Sequence, residues 1–113
     1  SNSRARSIFD RIGGEIGVHG AVSLLSNRLM EDPQLEISVS ASNIKQVIAT
    51  FVGLLTKRLG GPDASYVGNS IEDALAYLQI SGAQLNGIVH HLRSALEVME
   101  MPADLVEEVL TAL

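Results

Sequence analysis

The stretch "NSIEDALAYLQIS", Asn69 to Ser81, carries two helix starts within a few turns of one another. Ser70 with Asp73 matches the S-x-x-[DE] box, in which each side chain satisfies an otherwise orphan backbone N–H of the other. Ser81 with Gln84 repeats that pattern before the first helix can grow long. The helix opening at Ile71 is therefore short, with Ile71, Ala74, Leu75 and Leu78 sharing one face. The next opens after Ser81 and turns Leu85, Ile88, Val89, Leu92, Leu96 and Met99 inward. Helix directly after helix predicts an all-α chain.

The same logic extends in both directions. Towards the start, Ser7 caps a brief turn carrying Ile8, Phe9 and Ile12, which Gly13 and Gly14 then stop. From Glu15 to Met30, Val18, Val22, Leu25 and Leu29 recur at helical spacing, and Asp32 with Pro33 ends the run. "PQLEISVSAS" has no clear period and reads as a connector. Ser42 or Asn43 then caps a helix with the stripe Ile44, Val47, Ile48, Phe51, Leu55 and Leu59, closed by Gly60, Gly61 and Pro62. Towards the end, Pro102 suits a first helical position, and Asp104, Glu107 and Glu108 suit its positive end. Leu105, Val109, Leu110 and Leu113 form its apolar stripe.

Length and composition bound the function. The 113 residues fit one domain, expected over 7–113, with Ser1–Arg6 as a disordered tail. An apolar content of 46% against 19% charged residues argues for a compact core. The net charge is −5 and the eight Lys and Arg are scattered, so no footprint for a phosphate backbone exists and nucleic acid is not an expected partner. With no cysteine, no bilayer-length apolar run and no secretory pattern, the expectation is a cytoplasmic protein without membrane contact.

Five short motifs in order resemble the truncated haemoglobins, the two-on-two helical globins, and most closely their short-linker group I. "SIFDRIGGEIGVHGAV" is similar to that family's opening, "NRLMEDPQL" to the end of its second helix, and "RLGGP" and "YVGNSI" to the linker before its haem-ligating helix. "MPADLVEEVLTAL" resembles its final helix. The resemblance implies a globin-like two-on-two sandwich of about six helices. It also places this chain's residues in the haem pocket, where they depart from the family one after another. Leu75 falls at the iron-binding histidine, and leucine has no donor atom. Ser26 falls at the tyrosine that holds bound oxygen, Val39 at the corner phenylalanine, and Phe51 at a distal position often occupied by glutamine. Val47, one turn before Phe51, completes this degenerate set.

No other residue pattern announces chemistry. His90 lies opposite the apolar stripe of its helix and His91 at its flank, and adjacent histidines diverge by about 100°, unlike the i, i+4 pairs that grip zinc. His91 matches a histidine frequent in the family that is not the iron ligand, and His19 borders the second helix's stripe. No metal site is expected. Glu72 and Asp73 suit the first turn of a helix better than catalysis, and nothing nominates an enzyme.

The expectation drawn from Leu75 and Phe51 is a globin-like domain without haem or other cofactor. Such a domain would act as a sensory, regulatory or assembly module, or take a small apolar ligand in the remnant pocket. Unfilled space costs about 24 cal/mol per Å³, which makes the two large side chains natural fillers. The alternative is haem binding through an unusual ligand such as His90 or His91, with oxygen or nitric oxide bound to the iron. A homodimer or another protein domain is the expected partner, because Val52, Leu54 and Leu24 lie off the centre of their stripes and would be left partly uncovered.

Overall fold

The computed structural model describes residues 6–33, 44–62, 72, 73, 76 and 79–113. Five helices are formed among them: α1 (Ile8–Arg11), α2 (Gly14–Glu31), α3 (Ile44–Arg58), α4 (Gly82–Val98) and α5 (Ala103–Ala112). No strand occurs among the described residues, so the fold is all-α, as the caps and stripes predict. The sixth expected helix falls largely outside the described residues, although Glu72, Asp73 and Ala76 are helical. The connector over 34–43 and its cap residues Ser42 and Asn43 lie outside them as well.

Local chemistry sets the ends. Ser7 Oγ accepts from the Asp10 N–H at 3.1 Å, which starts α1. At the end of α3, Gly61 N–H donates to Thr56 O at 2.8 Å and Gly60 N–H to Lys57 O at 3.4 Å, the paired bonds of a Schellman cap. That cap needs a left-handed residue, and Gly60 provides it at φ 85°. The predicted box of α4 is complete: Ser81 Oγ accepts from Gln84 N–H at 3.2 Å, while Ser81 N–H donates to Gln84 Oε1 at 2.9 Å. Pro102 is one position further out than expected, as the N-cap of α5 with extended ψ of 145°.

The core forms where the stripes meet. Val18, Val22, Leu25 and Leu29 of α2 pack against Val47, Phe51, Leu55 and Leu59 from the α3 side and Ile88, Leu92 and Leu96 of α4. Phe9 and Ile12 close one end, and Leu105, Val106 and Val109 of α5 complete the cluster. α1 can lie this close to α2 only because residue 17 is glycine: a Cβ there would sit 1.9 Å from the Ile12 carbonyl oxygen. α3 is buried around most of its circumference, including Thr50, Gly53, Leu54 and Thr56. This corrects the expectation for Leu54, which is 1% exposed and unavailable to any partner. Val52 and Leu24 are half-buried.

Candidate functional site

α2 and α3 bring three of the five pocket positions into the same core. Ser26 projects from α2 and is 2% exposed, while Val47 and Phe51 from α3 are 7% and 4% exposed. Val39 and Leu75 lie outside the described residues. A helical serine commonly returns its hydroxyl to a carbonyl of the preceding turn. Ser26 does not: its Oγ is buried and has no hydrogen-bond partner among the described residues. An unpaired buried hydroxyl costs about 1–3 kcal/mol, so the position carries a penalty that alanine would avoid.

The core that these helices share is aliphatic and aromatic. A narrow void of about 10 Å³ lies between α2, α3 and α4, bordered by Leu25, Phe51, Leu55, Ile88 and Leu92, with Leu113 at its edge. It is apolar and no larger than a single water. The resolved pKa shifts are elsewhere, on ion pairs of α5: hydrogen bonds from Arg93 and Arg11 lower the Glu107 and Glu108 carboxyls, and the same bonds raise both guanidiniums. No group of three or more metal-ligating side chains gathers among the described residues.

The histidines take the outward positions that helical rotation predicts. His19 and His90 are exposed. His91 is half-buried at the flank of α4, its Nε2 2.7 Å from Asp32 Oδ2 at the end of α2. Nothing local in the sequence signals this pair, since its members are 59 residues apart. Glu72 and Asp73 are exposed on a helical turn, and Ser70, the expected capping partner of Asp73, lies outside the described residues.

Residues 7–113 match the family described as bacterial-like globin. The chain belongs to that family. Among relatives of this globin, the group 1 truncated hemoglobin of Tetrahymena thermophila is 22% identical over 102 residues, covering 90% of this chain and 84% of the relative. The group 1 truncated hemoglobin GlbN of Mycolicibacterium paratuberculosis is 28% identical over 107 residues, covering 95% and 78%. In fold, the globin superposes on the Fe(III) form of the truncated hemoglobin from Tetrahymena pyriformis with a TM-score of 0.79. That likeness covers 95% of this chain and 91% of the other at 20% identity.

These relatives overturn one expectation. A haem-less sensory, regulatory or assembly module was inferred from a missing donor at Leu75 and a bulky Phe51, yet the proteins that match nearly the whole globin are named truncated hemoglobins. The inference rested on a single absent donor, and one missing donor removes a bond without excluding another ligand to the iron. No helix among the described residues is long and apolar enough to cross a membrane.

Proposed function

We propose that this globin binds haem and, on the haem iron, a diatomic ligand such as oxygen or nitric oxide, with a protein ligand to iron other than residue 75. The observation that carries this proposal is Ser26, whose buried hydroxyl lacks a partner among the described residues and can donate to or accept from a ligand held beside it. Val47 and Phe51, both buried and apolar, would pack against a bound porphyrin and keep water from the same region. When bound, haem would supply the iron for the diatomic ligand. The globin supplies enclosure, and from Ser26 one hydrogen bond in a low-dielectric setting, where such bonds are strong.

Leu75 has no donor atom, so another residue would have to ligate the iron of a bound haem. His91 can serve only by giving up Asp32, whereas His90 starts from an exposed position. Hemin titration with absorbance in the Soret region tests the proposal. The expected result is saturation at one haem per chain, with His90→Ala, His91→Ala and the double variant identifying whether α4 provides the ligand. Flash photolysis of the carbon monoxide complex should show altered ligand kinetics in Ser26→Ala. Hemin spectra no different from those with an arbitrary apolar protein would refute haem binding.

A further inference from the structure

Helix α2 ends without the local lock that closes α3. Its C-cap is Asp32, an extended residue at φ −101° and ψ 99°, whose N–H reaches Leu29 O at 3.4 Å, a long bond. The left-handed glycine that seals α3 has no counterpart at this end. Along Leu24, Asn27, Arg28 and Glu31, the last turns border an open groove of about 560 Å³, so nothing among the described residues fills the space on that side. From α4, His91 reaches the same end: its Nε2 lies 2.7 Å from Asp32 Oδ2, and the two side chains are 16% and 23% exposed. An ionised carboxylate accepts and does not donate, so the imidazole donates from Nε2. A second contact lies towards the other end of α2, where a Cβ at Gly20 would stand 3.2 Å from Met99 Cε. The two helices therefore run antiparallel, and the His91–Asp32 pair ties them at the end nearer Ser26.

We infer that His91 and Asp32 are positioning residues, whose bond fixes the last turns of α2 against α4 and so sets where the Ser26 hydroxyl stands. The inference rests on the reading of Ser26 as the ligand contact, and it assigns His91 to Asp32 rather than to iron. Ser26 lies less than two turns before Asp32, about 9 Å along an unbroken helix, so a shift of the helix end is carried to it. Hydrogen bonds weaken steeply away from their preferred distance and angle, and a displacement of about 1 Å at Ser26 is enough to lose one. The pair is partly buried and charge-assisted, which makes its geometry firmer than that of an exposed surface pair.

Thiol labelling of the haem-free chain tests this, since the sequence contains no cysteine and Ser26→Cys places a single reporter at the site. Adding His91→Ala or Asp32→Ala should each speed labelling about tenfold, the scale of one lost hydrogen bond to a charged group. Combining the two should add little to Asp32→Ala, because the same bond is lost once. His91→Gln, whose amide can still donate to Asp32, should label near the parent rate. As a control, Val106→Cys on α5, at a position 2% exposed, should label at the same slow rate in every background, which separates a local displacement from a weakened fold. With haem added, His91→Gln should keep the parent's Soret spectrum, and carbon monoxide rebinding should change in Asp32→Ala but not when Ser26→Ala is also present. Labelling as expected without any Soret band would refute haem binding and leave the positioning role standing. Unchanged labelling of Ser26→Cys in both alanine variants, equal acceleration at Val106→Cys, or loss of the Soret spectrum in His91→Gln overturns the inference.

Discussion

At the scale of single residues, Ser26 is a buried hydroxyl without a partner among the described residues. A buried hydroxyl without a partner lowers stability, so Ser26→Ala should raise the denaturation midpoint of the haem-free protein, by about 1–3 kcal/mol. Urea unfolding of the two proteins measures it. If Ser26 is a binding residue, the stabilised variant should also bind ligand differently, the usual exchange of stability for function. Leu54 has the opposite character: at 1% exposure, Leu54→Ala should cost about 2–5 kcal/mol and lower the midpoint in the same experiment. The sequence placed Ser26 through its resemblance to a family position, but could not show that the hydroxyl is unpaired, because that depends on every neighbour the fold delivers. Leu54 was misjudged for a related reason. A stripe of period 3.6 identifies the centre of a buried face, whereas α3 is covered well beyond one stripe.

At the scale of elements, the ends of helices were legible because their chemistry is local. The Ser81–Gln84 box and the Gly60–Gly61 cap are complete within a few residues. Ser81→Ala should therefore cost about 1 kcal/mol, read as a lower melting midpoint and faster exchange in the first turn of α4. Gly17→Ala should be far more damaging than its size suggests, at least about 1–3 kcal/mol, because the added methyl meets the Ile12 carbonyl and α1 must move away. Contacts between elements were not legible. The His91–Asp32 pair and the arginine forks on α5 join positions whose proximity exists only after packing. The forks also predict a pH response. Hydrogen bonds from Arg93 and Arg11 hold the Glu107 and Glu108 carboxyls below their ordinary range, so their contribution is complete above the unfolded carboxylate range. It is lost as pH falls through the lowered folded values, where α5 should loosen first by hydrogen exchange.

At the scale of the whole molecule, fold and chemistry were read with unequal success. Helix order, glycine pairs and caps sufficed to identify a globin, and the match over residues 7–113 agrees with them. The step from an absent histidine to an absent haem did not follow, because iron accepts protein donors other than histidine and the relatives that match nearly the whole chain are named truncated hemoglobins. What distinguishes a globin that uses haem from one that has lost it is occupancy. Native mass spectrometry of the protein expressed with haem available measures occupancy directly. The prediction is a dominant species of one haem per chain that survives gentle activation and loses haem more readily when the ligating residue is replaced. A spectrum containing only the bare polypeptide, under conditions that preserve haem in a truncated hemoglobin control, would contradict haem binding by this globin.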